Sequence, residues 1–120
     1  MFYVMPCEDK KIIDDLSKSI FNYPNNFEGN LLLFEDKKPI GLCNFQILEA
    51  FHICRIGVLD CYEKSAKDFF CRVVIFKALN NKMLVVDFVD DYYKQFGFKI
   101  KNNTMVALSE EINFPSECKH

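Results

Sequence analysis

The chain has 120 residues, half of them hydrophobic and 15% aromatic, with 13 Phe and no Trp. That is the length of one domain, able to bury about two-thirds of its unfolded surface without staples, and the composition excludes a disordered chain. The formal net charge is -2, from 15 Lys and Arg against 17 Asp and Glu, and the basic residues are scattered rather than gathered into the stripe a nucleic-acid partner needs.

Phe2 to Met5 is a short strand ended by Pro6, which cannot donate to a ladder. From Asp9 to Phe21, Ile12, Ile13, Leu16 and Ile20 recur at helical spacing against a charged face of Lys10, Lys11, Asp14, Asp15 and Lys18. Asn22 to Asn30, with Pro24 and Gly29, reads as a loop. Leu31 to Glu35 and Lys38 to Leu48 are strands joined by the turn Asp36-Lys37, and Phe51 to Val58 is a third, with His52, Cys54 and Ile56 on one face. Three such strands make an antiparallel meander.

Ser65 to Leu79 is the most hydrophobic helix, with Ser65 as N-cap and Asp68 in capping-box position. Ala66, Phe69, Phe70, Val73, Phe76 and Leu79 form its buried stripe, and Val74 and Ile75 carry the apolar surface around most of the circumference. Such a helix must be covered on more than one side, by the rest of the chain or by a second copy in a homodimer. Met83 to Val86 is a near-continuous apolar strand of the kind buried on both faces. Val89, Tyr92, Tyr93 and Phe96 then mark a short helix, Gly97 its left-handed stop, and Phe98 the residue that folds back on its last turn. Strands Phe98 to Lys101 and Thr104 to Leu108 follow, with Asn102-Asn103 between them, and Ser109 to His120 reads as a polar tail. The domain therefore spans 1–108 and the tail 109–120. The element order argues for an α/β (α+β) domain with a mixed sheet and helices on its faces.

Six cysteines, Cys7, Cys43, Cys54, Cys61, Cys71 and Cys118, lie within or beside hydrophobic runs. Met1 to Met5 lacks a basic n-region and a small-residue cleavage site, and no apolar run is long enough to span a membrane. The expectation is a cytoplasmic protein with reduced thiols. His52 and Cys54 could stand side by side on one strand face, but no second pair with zinc spacing exists, so no metal is expected. Cys61 precedes the long helix, where a dipole could lower a thiol pKa; the competing reading is a buried free thiol.

The segment Tyr92-Tyr93-Lys94-Gln95-Phe96-Gly97-Phe98 resembles the Tyr-x-x-x-Gly-Phe signature of the GCN5-related N-acetyltransferases (GNATs), with Tyr93, Gly97 and Phe98 in the matching places. The order of elements is similar to that fold across nearly the whole chain. The resemblance implies a mostly antiparallel twisted sheet of about seven strands with helices on both faces. It also implies acetyl-CoA as co-substrate and transfer of its acetyl group to a small-molecule or peptide amine. In that reading Ile56, Gly57 and Val58 pair with the pantetheine arm. The following turn, with Lys64, Ser65, Ala66 and Lys67, receives the pyrophosphate, since N–H groups at a helix start make an anion site.

Tyr93 corresponds to the acid that protonates the departing thiolate, and Glu49 and His52 are the candidates for the base. The family's Arg/Gln-x-x-Gly-x-Gly/Ala pattern falls on Glu63, Ala66 and Asp68, so two carboxylates would stand near the pyrophosphate unless turned away or paired. A chain that keeps the architecture and loses the phosphate loop is alternatively a non-catalytic binding or regulatory module.

Overall fold

The computed structural model describes residues 1–21 and 27–115. Seven strands form one sheet: β1 Phe2–Pro6, β2 Gly29–Glu35, β3 Lys38–Leu48, β4 Ile53–Cys61, β5 Met83–Val86, β6 Lys99–Lys101 and β7 Thr104–Leu108. Their order across the sheet is β1-β2-β3-β4-β5-β7-β6. All neighbours are antiparallel except β4 and β5, which are joined by the crossover helix α2, Lys64–Ala78. The chain is thus an α/β domain with a mixed, mostly antiparallel sheet, as its sequence predicts.

The β2–β3 and β6–β7 hairpins follow from their turn chemistry. Asp36, Asn102 and Asn103 take positive φ, the conformation Asn and Asp tolerate best after Gly. The first helix, α1 Lys10–Leu16, is capped by Asp9, whose carboxylate accepts from the N–H groups of Lys11 and Ile12, and it widens into a π turn over Ser17–Phe21. It buries Ile13 and Leu16 against Leu32 and Leu42 on one face of the sheet. On the other face α2 buries Ala66, Phe70, Cys71, Val74, Ile75 and Ala78 against Cys43, Cys54, Ile56, Leu84 and Val86. Phe69 and Phe76, which helical spacing assigns to the buried stripe, point outward instead and are 39% and 68% exposed.

Several expected boundaries move. Most of the loop predicted over Asn22 to Asn30 lies outside the described residues, and Gly29 and Asn30 belong to β2. The third meander strand starts at Ile53, because Glu49–Phe51 forms a 3-10 turn that His52 closes at φ 56. The segment Asp91–Phe96 is likewise 3-10, started by the Asp90 carboxylate and stopped by Gly97 at φ 107. A Cβ on Gly97 would stand 2.6 Å from the Glu111 carbonyl, so glycine is required there for space as well as for φ.

After β7 the chain turns through Ser109–Glu111 and packs back as far as Pro115. Asn113 N–H donates to the Phe96 carbonyl at 2.9 Å, the Phe114 ring lies 5.9 Å from that of Phe96, and Arg72 donates to the Pro115 carbonyl at 2.9 Å. Residues 109–115 therefore belong to the packed body, held by Ile112 and Phe114 among their polar neighbours. Residues 116–120, with Cys118, lie outside the described residues.

Candidate functional site

The seam between β4 and β5 is paired through only four positions, Ile53 with Met83 to Ile56 with Val86, and the Asp87 N–H adds a last bond to the Ile56 carbonyl at 2.9 Å. There β5 ends and β4 continues for five residues, Gly57 to Cys61, paired with β3 on its other side only. The two strands fork. Gly57 is the extra residue of a bulge, since Ile56 opposes Phe45 and Val58 opposes Asn44. The backbone groups that β4 turns toward the missing strand stay available for a ligand.

A Cβ on Gly57 would meet the Phe27 ring at 2.7 Å and Asn44 Oδ1 at 3.2 Å, so the α1 side of the fork is floored by Phe27. Asn44, 3% exposed, holds that residue from both sides: Oδ1 accepts from Phe27 N–H at 3.2 Å, and Nδ2 donates to the Phe27 carbonyl at 3.0 Å and to Gly29 at 3.2 Å. Over the same ring sits the Arg55 guanidinium, 5.2 Å from its centroid, paired at 2.8 Å with the Asp87 carboxylate. Asp87 is thus the carboxylate at the fork. Its position just after an apolar strand was the only sequence signal for it.

At the far end of the open stretch α2 begins. Its N-cap is Glu63, two residues earlier than the expected Ser65, and no side chain caps the helix. Ser65 is already helical, and Asp68 does not reach back to form a box. It accepts from the Tyr92 hydroxyl and from Arg72 Nε at 2.7 Å, one turn further along α2. One of the two carboxylates expected near the helix start is therefore turned away and paired; Glu63 stays exposed. Lys64 and Ser65 are exposed, Ala66 is buried with its N–H on the Glu63 carbonyl at 3.0 Å, and Lys67 leans on Asp60 at 3.7 Å. The N–H groups of the first two helical residues, Lys64 and Ser65, have no acceptor within the helix, so this end presents donors flanked by lysines.

Cys61 is buried and donates its thiol to the Glu63 carbonyl at 3.0 Å. Its pKa is raised, by burial first and then by the Asp60 carboxylate, against the lowering that a helix start suggests. It is the buried free thiol.

Tyr93, 1% exposed, lies in the layer between α2 and the sheet. Phe88, Tyr92 and Phe98 pack edge-on around its ring, and its hydroxyl stands 3.7 Å from Cys71 Sγ. Burial, reinforced by Cys71, pushes this phenol well above its usual pKa, and burial lifts the Cys54 and Cys71 thiols to about 11.

The structure does not bring Glu49 into this group. It sits before the first rung of the β4–β5 ladder, and the fork opens after the last, about 13 Å of strand away. Glu49 borders a separate open cleft of about 630 Å³ with Glu28, Phe45 and Phe51. His52 fails for another reason. Its left-handed backbone takes it off the strand, so it does not share a face with Cys54, and no cluster of His, Cys, Asp or Glu among the described residues could hold a metal ion.

No protein-family model matches the chain, and no curated protein is significantly similar to it in sequence. Solved structures match closely in shape. The ribosomal-protein-S18-alanine N-acetyltransferase of Escherichia coli superposes with a TM-score of 0.75 at 11% identity, covering 100% of this chain and 99% of that one. Ard1 of Thermoplasma volcanium gives 0.69 at 12% identity over 89% and 97% of the two chains. A GNAT family acetyltransferase of Brucella melitensis, solved in complex with acetyl-CoA, gives 0.69 at 12% over 90% and 88%. At such identities the likeness establishes the fold, which is that of the GNAT acetyltransferases.

Proposed function

Starting from this fold, we propose that the chain is an N-acyltransferase that seats acetyl-CoA in the fork between β4 and β5 and passes its acetyl group to an amine. The observation that carries the reading is the five-residue run of β4 without a partner on its β5 side, leading from the Gly57 bulge to an uncapped helix start. N–H groups along Ile56 to Val58 hold the pantetheine arm and polarise the thioester carbonyl, stabilising the oxyanion as it forms. Lys64, Ser65 and Ala66 take the pyrophosphate at the start of α2, with Lys67 alongside. Ala66 brings no bulk to the approach, and the pairing of Asp68 with Arg72 and Tyr92 removes one of the two repulsive charges that the sequence raised.

The acceptor amine enters over Phe27 on the α1 side, where Asp87 takes its proton as the nitrogen attacks. Glu49 is too far from the fork for that role. Tyr93 faces the departing sulfur. A phenol raised this far by burial keeps its proton, so it stabilises the thiolate by donating a hydrogen bond in place of its present contact with Cys71.

The second reading, a binding module with the same fold, is favoured by how tightly Tyr93 is packed and by the hold of Asp60 on Lys67. Thermal melting separates the two readings. Acetyl-CoA at about 100 times its dissociation constant should stabilise a transferase by about 2.7 kcal/mol, a midpoint shift of several degrees. An unmoved midpoint at millimolar acetyl-CoA overturns the transferase and leaves the module; a shift with acetyl transfer to one of a panel of amines and peptides overturns the module.

A further inference from the structure

The outer edge of β1 carries an inference that is independent of the acyltransferase reading. Among the described residues β1 pairs with β2 alone, so one side of the strand is free. Which groups lie there follows from the ladder. The Met1 carbonyl accepts from Asp36 N–H at 2.9 Å, and Cys7 N–H donates to the Asn30 carbonyl at 3.1 Å. Odd-numbered residues therefore face β2, and Phe2, Val4 and Pro6 turn their backbone groups outward. Pro6 is tolerated because the N–H it lacks would point away from the ladder.

We infer that this edge seats a second copy of the chain, β1 against β1, antiparallel about a two-fold axis at Val4. In that register Val4 opposes Val4 of the second copy and Phe2 opposes Pro6. Each Val4 N–H meets a Val4 carbonyl, and each Phe2 N–H meets a Pro6 carbonyl. Every outward donor on both strands then has an acceptor, and the missing N–H of Pro6 leaves no donor unpaired. The two-fold also repeats every contact, so each bond made at Phe2 and Val4 is made twice. The edge also carries no charge that would hold a second copy off: Phe2 to Pro6 contains no charged residue.

The side-chain layer shares the axis. The Phe2 ring lies 6.1 Å from that of Phe69, and α2 runs in the same direction as β1. The midpoint between the outward rings of Phe69 and Phe76 falls about 5 Å along the helix from Phe69, and Val4 lies about 7 Å along the strand from Phe2. One two-fold therefore sets Phe69 and Phe76 of each copy along the same seam. A five-residue edge with two rings beside it falls well short of the about 20–30 residues a side of a standard interface, so the dimer is a weak one.

Sedimentation of the full chain from about 10 µM to about 1 mM should show a monomer–dimer equilibrium in that range. Amide exchange by NMR should find Phe2 and Val4 protected at the high concentration and fast at the low one. Val4→Pro removes the outward N–H together with a side chain packed on the core, and should weaken the dimer at least about tenfold, with the melting midpoint of the dilute monomer read alongside to separate lost pairing from lost packing. Phe76→Lys, on the exposed face of α2, should weaken it severalfold with the melting midpoint kept. A chain that stays monomeric throughout overturns the inference. So does a dimer in which the Phe2 and Val4 amides exchange fast and Phe76→Lys changes nothing.

Discussion

The two halves of β4 have the same neighbour on one side and opposite fates on the other. From Ile53 to Ile56 the strand is closed by β5, and Cys54 and Ile56 are buried under α2 with their thiol and methyl groups sealed from water. From Gly57 to Cys61 nothing pairs with it, and the bulge, the Phe27 floor, the Arg55–Asp87 pair and the start of α2 gather around the gap. The closed half is a core that any fold of this type needs. The open half holds the groups able to meet a ligand. On the proposed reading the chemistry falls where this pairing stops, and Glu49, before the first rung, lies outside it.

Three measurements test that division. The largest effect belongs to the open half. Asp87→Asn keeps the backbone N–H that closes the last rung and removes the carboxylate, and acetyl transfer should fall by about 10²- to 10⁴-fold with little change in acetyl-CoA affinity. Tyr93→Phe should cost about tenfold by the same assay. An Asp87→Asn variant with full activity would detach the fork from the chemistry.

The closed half answers to alkali instead. Cys54 and Cys71 titrate at about 11 in the folded chain, above the usual 9.0. Their raised values mean the unfolded chain loses these protons first. Stability is therefore flat below pH 9 and falls between pH 9 and 11, by about 1.4 kcal/mol per pH unit for each thiol. Denaturant titrations of Cys71→Ala should show a shallower alkaline slope than the parent; an equal slope means that the thiol layer is open to water.

The smallest effect is expected at Glu49. Glu49→Gln, in the turn before the closed half, should leave both turnover and stability within the ±0.5 kcal/mol typical of surface substitutions. A large loss of activity there would redraw the site around the separate cleft at that end of the sheet.

Local pattern carried the fold a long way. The helical spacing of α1 and α2, the Asn and Asp turns, the apolar run of β5 and the glycine stop at Gly97 each depend on residues a few positions apart, and all of them formed where expected to within a few residues. The π turn after Leu16 and the 3-10 turns at Glu49 and Asp91 were not legible, because those choices turn on which carbonyl an N–H can reach once the neighbours are packed. Phe69 and Phe76 share the spacing of the buried stripe, yet the side of α2 that meets the sheet is the one carrying Ala66, Phe70, Cys71, Val74, Ile75 and Ala78.

The site shows the same boundary more sharply. Of the residues proposed for the site, Tyr93 was identifiable from the Tyr-x-x-x-Gly-Phe match, and Gly57, Lys64 and Ala66 only from their places in the order of elements, since the phosphate-loop pattern falls on Glu63, Ala66 and Asp68. Asp87, Asn44, Phe27 and Arg55 were not, since they come from four separate stretches and meet only around the fork.

By itself, then, the sequence determined the elements, their order and the positions of the glycines, all set by interactions within a turn or two. Only the tertiary structure decided that Asp68 would bond Arg72 and Tyr92 rather than cap its helix, that Glu49 would lie at the closed end, and that Ile112 and Phe114 would fold back on Phe96. Each is a competition between partners distant in the chain, and burial settles it by making an unpaired polar group or an exposed ring the costlier outcome.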